Sequence, residues 1–524
     1  MTKKRTIVVI GGGVSGMTSA LILASFGHEV SLIECSPALG LTVRGFFREG
    51  VYFDTGLHYT GGLGEGGALR RYLTFLGLGD LPAISFDREG FDTVRFYNDN
   101  KEIRLHIGFE AMRGQLRELF PGEEKAIDEY FDEARNVFVD SPLINGTLNI
   151  DGVPDIRKVF EEESRFDTLD SFLRERTNNE LLYAVLSIHT LLHGSAPDEV
   201  SFRQHARVAA SYFDSVHTFS GGGRALVNAF ERQLAAKGVA VTLGKRVTGI
   251  NFSYDDKGTG VIEGVTLDDD SMLDADTVVY TGHPHYLPDL VPPGLFKPAF
   301  VRRMRHLEDT PSAYMLFGIA EEPLFSGSAR NLFLCPDTDL SAFFKRGDSI
   351  DRGPYYVTTS PAHTRLAHTR PHTGTVPGKS GTVAGKGVGI TALTSGDFTE
   401  FAQWKDTVPG RRGKEYEAFK AAKLERFREG LVRACPELAN VRFIEGATPL
   451  TFRDYTHSPS GSLYGCKHTL DQYNPQPVTR VPHLWLAGQS VVAPGVFGAV
   501  ISAFLACGFI VGPEKLQEEV GACV

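Results

Sequence analysis

The sequence predicts an α/β protein in which a mostly parallel, helix-covered sheet is joined to a second, α+β domain. Three observations predict this fold class. Within residues 6–34, an apolar run, a glycine cluster and a helical apolar repeat follow one another. Helix and strand patterns of the same kind return within residues 220–252 and 484–512. Residues 80–215 are richer in charge and in helical patterning, which indicates a separate domain.

The N-terminal pattern suits the binding of a nucleotide diphosphate. Ile7–Ile10 is continuously apolar, as expected of a strand buried on both faces of a parallel sheet. In the G-x-G-x-x-G motif that follows, Gly11 permits a tight turn, Gly13 lets the backbone approach a pyrophosphate, and Gly16 lets the helix pack on the strand. The free N–H groups and partial positive charge of the helix N-terminus then bind the diphosphate. These features predict a Rossmann-type dinucleotide-binding domain.

An acid at the end of the second strand indicates which nucleotide is bound. Glu29–Ile33 has a strand pattern, and Glu34 follows Gly16 at close to the ~20 residues typical of the acid that bonds a ribose hydroxyl. A carboxylate there disfavours a 2′-phosphate, so FAD or NAD is expected rather than NADP. A signal peptide is the alternative, because basic residues 3–5 precede the apolar run. The three glycines and the acid argue against it.

Composition limits the class of protein. At 524 residues the chain exceeds a single core and should hold two or three domains. Its net charge of −10, with no long basic run, argues against a nucleic-acid partner. The six cysteines include no C-x-x-C pair, which predicts reduced thiols in a cytoplasmic protein. The spacing of His363, His368 and His372 fits no zinc pattern, so no metal is assigned.

The longest apolar stretch, residues 484–512, raises the question of a membrane span. Gln489, Pro494 and several glycines divide it into a strand, a turn and a helix, so no span is predicted. Peripheral contact with a membrane stays open, because the acid-free, basic loop between Asp351 and Asp397 would be attracted to anionic lipid. A solvated loop insertion is the alternative and is favoured.

Two longer motifs carry a family resemblance. Residues 39–62 read LGLTVRGFFREGVYFDTGLHYTGG, and residues 447–465 read ATPLTFRDYTHSPSGSLYG. With Gly488-Gln489 near the C-terminus, they resemble the FAD-dependent carotenoid desaturase and isomerase superfamily, which shares its cofactor fold with flavin amine oxidases. Within it, FDTGLHY and Gly-Gln look most like the retinol saturases. The resemblance is strong at both ends of the chain and patchy between them.

The resemblance implies how the domains are divided. A flavin amine oxidase/phytoene desaturase-like FAD-binding domain would be assembled from discontinuous segments, namely residues 1–80, 216–290 and 441–524. Residues 81–215 and 291–440 would form the α+β substrate-binding domain.

The resemblance also implies the cofactor contacts. Leu41 and Thr42 replace a glycine and an arginine of the family pattern, so Arg44 is the candidate for the diphosphate, with a solvated hairpin charge as the alternative. Gln489 replaces an aspartate that bonds the ribityl chain, and the backbone of Val247 would contact the adenine. The expected FAD contacts are Gly11, Gly13, Val14, Ser15, Gly16, Glu34, Arg44, Gly56, Val247, Gly488, Gln489 and Val496.

Catalysis would rest on the flavin, which performs the hydride transfer. The resemblance implies a long, apolar, conjugated polyene, and such a ligand needs an apolar channel. Saturating a double bond also needs a proton, which a tyrosine or histidine could give. The candidates are His58, Tyr59, His205 and Tyr464. Shaping the cavity or bonding the cofactor is the alternative for each, and His205 could be a satisfied polar residue on a helix.

Three hypotheses on function follow. The first is an FAD-dependent oxidoreductase that saturates or desaturates a C=C bond of a lipophilic polyene such as a retinoid or carotenoid, with saturation favoured. The second is a flavin-dependent, redox-neutral cis–trans isomerase. The third is a non-catalytic prenyl- or lipid-binding module, against which the glycine motif and Glu34 argue. Because one dinucleotide fingerprint is evident, the electron donor or acceptor is expected to be a transient small molecule or another protein.

Overall fold

The computed structural model describes residues 4–141, 167–256, 258–324, 330–344, 350–359 and 387–523. His363, His368 and His372, for which no metal was predicted, lie outside these residues.

The strands of the described residues, numbered in chain order, are β1 (Thr6–Ile10), β2 (Glu29–Glu34), β3 (Phe46–Arg48), β4 (Val51–Phe53), β5 (Ala83–Ser85), β6 (Asp92–Phe96), β7 (Lys101–Leu105), β8 (His217–Phe219), β9 (Ala240–Leu243), β10 (Val247–Tyr254), β11 (Gly260–Leu267), β12 (Met272–Asp274), β13 (Thr277–Tyr280), β14 (Ser312–Ala320), β15 (Asn331–Cys335), β16 (Tyr355–Thr359), β17 (Val388–Gly396), β18 (Arg442–Ala447) and β19 (Leu484–Leu486).

The α-helices of the described residues are α1 (Val14–Ser25), α2 (Ala68–Phe75), α3 (Phe109–Leu119), α4 (Glu124–Val139), α5 (Leu169–Arg174), α6 (Glu180–Ser187), α7 (Phe202–Asp214), α8 (Gly222–Ala236), α9 (Pro298–Arg305), α10 (Lys414–Ala434), α11 (Pro449–Thr456), α12 (Gly495–Val511) and α13 (Pro513–Gly521). Short 3₁₀ helices lie at Ile188–Leu192, Pro284–Asp289, Leu340–Phe343, Phe398–Trp404 and Pro436–Asn440.

A five-stranded parallel sheet in the order β19-β13-β1-β2-β9 forms the first domain. Its central strand is buried on both faces, as the apolar run predicts, because adjacent side chains enter different cores. Val9 packs in a core with residues of α1, α8 and α12. Val8 packs on the opposite side, in a core with the three-stranded antiparallel sheet β10-β11-β12. The sheet combines N-terminal, central and C-terminal strands, so the predicted α/β fold from discontinuous segments is confirmed.

A seven-stranded mixed sheet in the order β18-β14-β17-β16-β15-β6-β7 forms the second domain. Alternate side chains again face two cores. Phe333 of β15 packs in a core with α4 and α7, whereas its neighbour Leu332 packs in a core with α10. One face of the seven-stranded sheet is therefore covered by α4 and α7, and the other by α10.

Strand β18 belongs to this second sheet, although the sequence assigns residues 441–524 to the dinucleotide-binding domain. It pairs antiparallel with β14, where Ala447 lies opposite Met315. The short strand pairs with a partner far away in the sequence, and local periodicity contains no information about that pairing. Strands β5 and β8 also pair across a predicted boundary, with Ile84 opposite Thr218.

The apolar stretch of residues 484–512 is divided as predicted, into β19, a turn and the 17-residue helix α12. In the part of the chain that the structure describes, no helix has both the length and the apolar character needed to cross a membrane.

Candidate functional site

A cavity of about 820 Å³ lies at the carboxyl ends of three parallel strands. Its lining includes Gly11–Gly13 after β1, Glu34 at the end of β2 and Thr281 after β13. Ligands of open α/β sheets bind at this edge, because helix N-termini and strand-end loops meet there. We call this cavity the nucleotide groove.

The three motif glycines meet different steric demands. Gly11 has a φ of +108°, and a Cβ there would lie 2.6 Å from Thr281 Oγ1. A Cβ on Gly16 would lie 1.8 Å from the carbonyl oxygen of Gly11. In contrast, a Cβ on Gly13 would have no atom within 4 Å. The first and third glycines are thus required by the protein's own packing, whereas Gly13 faces open space that a ligand would fill.

The polar groups of the groove fit the two ends of an ADP moiety. The backbone N–H groups of Gly12 and Ser36 donate to the Glu34 carboxylate at 2.5 and 2.7 Å, which fixes it at the edge of the groove. Helix α1 begins after Gly13, which provides no side-chain cap. The N–H groups of its first turn are therefore suited to an anion. The Glu34 carboxylate could bind a ribose, and the N-terminus of α1 could bind phosphates. This pair of groups fits a dinucleotide.

Arg44 does not have its predicted place beside the diphosphate. Its guanidinium donates to the Glu231 carboxylate on α8, at 2.6 and 3.4 Å, and it does not line the groove. This ion pair corrects the prediction, because the Arg44 guanidinium connects the segment before the hairpin β3–β4 to α8 and does not face the groove. Arg246 does line the groove, and sequence reasoning missed it because no motif marks it.

A second cavity of about 560 Å³ adjoins the groove. We call it the aromatic cavity, because many of its lining residues have rings: His58, Tyr59, Tyr212, Phe333, Phe343, Tyr355, Tyr356, Tyr464, Phe497 and Phe509. The walls of the two cavities touch. A Cβ on Gly56, which lines the aromatic cavity, would lie 2.4 Å from the carbonyl oxygen of Thr42, which lines the groove.

The first turn of α12 forms one wall of the aromatic cavity, including Val496. Two hydrogen bonds hold this helix in place. Ser15 Oγ donates to the Ala499 carbonyl oxygen at 2.6 Å, and the Gly488 N–H donates to Ser502 Oγ at 2.9 Å. The bond from Ser15 to Ala499 fixes the N-terminus of α1 beside that of α12. The partial positive charge of the α1 N-terminus lies at the groove, and that of the α12 N-terminus lies at the aromatic cavity.

The structure brings half of the predicted cofactor residues to the walls of these cavities. Gly11, Gly13, Glu34 and Val247 line the groove, and Gly56 and Val496 line the aromatic cavity. Val14, Ser15 and Gly16 form the first turn of α1. Gly488 and Gln489 line neither cavity, and the Gln489 carbonyl oxygen lies 2.7 Å from His468 Nε2. Contact between the Gln489 amide and a ribityl chain stays a prediction.

Tyr59 lines the aromatic cavity, but its proton is directed away from a ligand. Its hydroxyl donates to Asp92 Oδ2 at 3.0 Å, and Asp92 is 0% exposed. The same carboxylate accepts from Asn331 Nδ2 at 2.8 Å and lies 3.2 Å from His189 Nε2. Burial and the Asp92 charge raise the pKa of Tyr59 well above its ordinary value. Sequence reasoning missed Asp92, since a single acid in an apolar strand has no motif.

His58 and Tyr464 also line the aromatic cavity, and their protonation states differ. Burial lowers the pKa of His58 to about 4, so at neutral pH it is the neutral imidazole, whose remaining N–H is a very weak acid. Burial raises the pKa of Tyr464 to about 12, so its hydroxyl stays protonated. That hydroxyl takes part in no hydrogen bond of the described residues. Of the predicted candidates, Tyr464 is best placed to donate a proton.

His205 is not in the aromatic cavity, so its predicted catalytic role is wrong. It is 0% exposed on the inner face of α7. Its Nε2 lies 3.1 Å from the Tyr130 hydroxyl, and its Nδ1 lies 3.3 Å from His193 Nε2. Burial lowers the pKa of His205 well below its ordinary value. It is a satisfied, neutral residue of the helical core, which was the alternative interpretation.

Two clusters of the described residues bring potential metal ligands within 4.8 Å of one another: Glu34, Cys35 and His457, and His283, Asp309 and Cys466. Hydrogen bonds already connect the second cluster. His283 Nε2 lies 2.9 Å from Asp309 Oδ1 and 3.5 Å from Cys466 Sγ. The assignment of no metal stays a prediction.

Asp54 connects the FDTG motif to the N-terminus of α8. Its Oδ1 accepts from the Tyr52 hydroxyl at 2.8 Å and from the Gly223 N–H at 2.9 Å. Burial raises the pKa of Asp54 from 3.8 to about 6, because the charged form is desolvated. The folded protein therefore prefers the neutral acid.

We expect the Asp54 carboxyl to make the folded protein less stable as the pH rises. The stability that the protonated Asp54 contributes is fully present below the pKa of 3.8 that applies in the unfolded chain. It is lost as the pH rises through the pKa of about 6 in the folded protein. Between pH 5 and pH 8 the free energy of unfolding should fall by about 1–2 kcal/mol from this source. In Asp54→Asn this part of the pH dependence should disappear. Urea unfolding of both proteins at the two pH values measures it, and parallel profiles would contradict the assignment.

The groove and the aromatic cavity define a class: a Rossmann-type dinucleotide-binding protein with an adjoining site for an apolar ligand. Residues 14–355, well over half of the chain, match the family described as flavin containing amine oxidoreductase. The chain belongs to this family and is a flavin-dependent oxidoreductase.

Individual relatives agree with this assignment. All-trans-retinol 13,14-reductase of Danio rerio is 25% identical over 546 residues, which is 98% of this chain and 86% of the relative. The 4,4'-diapolycopene oxygenase of Methylomonas sp is 23% identical over 279 residues, 52% of this chain and 54% of the relative. The crystal structure of an oxidoreductase from Methanosarcina mazei has the same fold, with a TM-score of 0.62, 17% identity and coverage of 95% and 98%. The predicted resemblance is confirmed.

Proposed function

We propose that the protein is an FAD-dependent oxidoreductase that reduces, or in the reverse direction desaturates, a C=C bond of a lipophilic polyene such as a retinoid or carotenoid. The observation that carries the proposal is the contact between the nucleotide groove and the aromatic cavity. Their walls meet at Thr42 and Gly56, so one extended cofactor and one apolar substrate could adjoin each other.

The groove favours FAD over a mononucleotide flavin. Glu34 lies where the ribose of an adenosine half would be bonded, and a flavin mononucleotide has no such ribose. In this proposal the first turn of α1 holds the diphosphate, Glu34 holds the ribose, and Gly56 and the N-terminus of α12 enclose the ring.

Two observations support a polyene as the substrate. The names of the Danio rerio and Methylomonas relatives are those of enzymes that act on polyenes. The cavity itself has the rings and aliphatic side chains that a long conjugated ligand requires, with Phe333 and Leu393 contributed by the seven-stranded sheet.

The chemistry divides between cofactor and protein. Bound FAD supplies a hydride acceptor or donor for the polyene carbon. The chain excludes water from the aromatic cavity, orients the polyene, and supplies the proton that the second carbon of the double bond needs. We assign that proton to the Tyr464 hydroxyl, because Tyr59 donates to Asp92 and His58 is neutral. The electrons are proposed to come from a transient small reductant or another protein.

Anaerobic single turnover tests the proposal. We expect all-trans-retinol, a retinoic acid or a carotene to reoxidise dithionite-reduced holoprotein, with a product two hydrogen atoms heavier by mass spectrometry. A product of unchanged mass and altered double-bond geometry would replace the proposal with a redox-neutral isomerase. Tight polyene binding with neither change would replace it with a lipid-binding module.

A further inference from the structure

Helix α12 is buried except along one side, and that side lines the aromatic cavity. The side chains of α12 that are not buried are Val496, Phe497, Leu505 and Phe509, and all four line the cavity. The buried Ile501 lines it as well. Because Phe497, Ile501, Leu505 and Phe509 follow one another at intervals of four residues, they lie along one side of the helix. We call these four residues the apolar stripe. At ~1.5 Å per residue, the stripe extends about 18 Å along the helix axis.

Contacts within the protein fix the far end of the apolar stripe. Gln476 and Pro477 line the cavity too, and they lie beside β19, because the Leu486 N–H donates to the Pro477 carbonyl oxygen at 2.9 Å. The indole ring of Trp485 on β19 stacks on the Phe509 ring, with centroids 5.8 Å apart and an interplanar angle of 9°. The end of the stripe is therefore attached to the five-stranded sheet.

The chemistry of the stripe suits a hydrocarbon. Leu505 and Phe509 pack against the core of the five-stranded domain but are only half-buried, so part of their apolar surface is uncovered. Removing such surface from water is favourable, roughly in proportion to its area. Among the described residues, the charged side chains that line the cavity belong to other elements, at the end of α4 and on α7. The stripe itself offers neither a charge nor a polar side chain to a ligand.

We propose that the distal part of the polyene lies along the apolar stripe, and that Leu505 and Phe509 are the residues that select a long chain. The inference rests on the proposed function, and it narrows the substrate to polyenes that extend about 18 Å beyond the flavin ring. The stripe begins at Phe497, in the first turn of α12, which would enclose that ring. One extended ligand could therefore reach from the reacting bond to Phe509 within a single cavity. A conjugated chain suits this path, because a rigid ligand loses little freedom on binding.

Equilibrium binding to the oxidised holoprotein tests this inference separately from turnover. The probes are all-trans-retinal and a longer apocarotenal with the same ring and the same aldehyde. Binding is followed by quenching of tryptophan fluorescence, to which Trp485 at the end of the stripe contributes. We expect the wild type to bind the longer aldehyde about 10- to 100-fold more tightly, because more apolar surface is buried. In Phe509→Gln this preference should fall by about 10-fold, because the longer chain would desolvate the amide, with retinal affinity unchanged within about 3-fold.

Three further variants keep the result interpretable. Leu119→Gln places an amide at an exposed leucine of α3 that does not line the cavity, and it should keep the full preference for the longer aldehyde. Phe509→Leu retains an apolar side chain at the end of the stripe and should keep most of the preference. If Phe509→Gln holds too little flavin to titrate, Leu505→Gln tests the same side of α12 and should weaken the binding of the longer aldehyde more than that of retinal.

The outcomes separate this inference from the proposed function. Equal affinity of the wild type for the two aldehydes, or a preference that survives in both Phe509→Gln and Leu505→Gln, would overturn the inference. Loss of a wild-type dimer in these variants, with the preference retained, would assign the stripe to a second copy of the chain instead. In either case the proposed function stands if retinal reoxidises the reduced flavin. If neither aldehyde binds and neither reoxidises the flavin, the proposed function fails, and the inference fails with it.

Discussion

The Gly13→Val variant is expected to fold normally and to contain no flavin. A Cβ at this position has no atom within 4 Å, and the backbone angles of −73° and −177° suit a β-branched residue. The side chain would occupy the space that the diphosphate needs at the N-terminus of α1. We expect flavin affinity to fall by more than about 100-fold, which is about 2.7 kcal/mol. Absorbance of the purified protein and titration with FAD measure the loss.

Two further glycine variants make this result specific. Gly16→Ala should destabilise the fold itself, because its Cβ would lie 1.8 Å from the Gly11 carbonyl oxygen. Gly249→Val adds the same side chain to strand β10 at a position that also has no atom within 4 Å, and it should keep its flavin. A flavin-replete Gly13→Val protein would show that the diphosphate does not lie over this glycine.

Tyr464→Phe should retain flavin and bind polyene, yet reduce it about 10²- to 10⁴-fold more slowly, the range typical of a lost general acid. Tyr464 lines the aromatic cavity, and its hydroxyl makes no hydrogen bond with the described residues, so we expect its proton to be available to a ligand. Stopped-flow reoxidation of the reduced flavin by substrate measures the step directly.

Tyr356→Phe is the matched control. Tyr356 also lines the cavity, and its hydroxyl is buried without a hydrogen-bond partner among the described residues. Burial and then the Asp92 charge raise the pKa of Tyr356 well above its ordinary value, whereas burial raises that of Tyr464. The anion that Tyr356 would leave after proton transfer is therefore opposed by a buried carboxylate as well, which makes Tyr356 the less favourable donor. We expect less than about a 10-fold loss of rate in this variant. A large loss in Tyr356→Phe with none in Tyr464→Phe would move the assignment of the proton donor to Tyr356.

The sequence predicted the nucleotide end of the site well because that end is built from adjacent residues. The apolar run, the glycines and the acid that were expected over residues 6–34 are β1, α1 and β2 in the structure. Gly11 and Gly16 meet the steric demands expected of the tight turn and of the packing of helix on strand, and Glu34 lies on the groove. The approach of a pyrophosphate to Gly13 stays a prediction. Short-range sterics and backbone hydrogen bonds determine this unit, and they are visible in a local pattern.

The substrate end depends on contacts that no local pattern contains. Phe333 and Tyr356 meet because β15 and β16 are neighbours in the second sheet, where the two residues lie opposite each other. Arg44 failed as a prediction because its partner, Glu231, is on a distant helix. His205 failed because amphipathic spacing identifies the face of α7 but not which face lines a cavity. The order of the strands and the docking of the helices determine these three placements, and the sequence alone does not reveal either.

The flavin content of the wild-type protein tests the central claim, that one adenine dinucleotide connects the groove with the aromatic cavity. After purification with added flavin, acid release and mass spectrometry should identify FAD at one molecule per chain. A protein that remains colourless after incubation with excess FAD, while its circular dichroism shows a folded chain, would contradict the account.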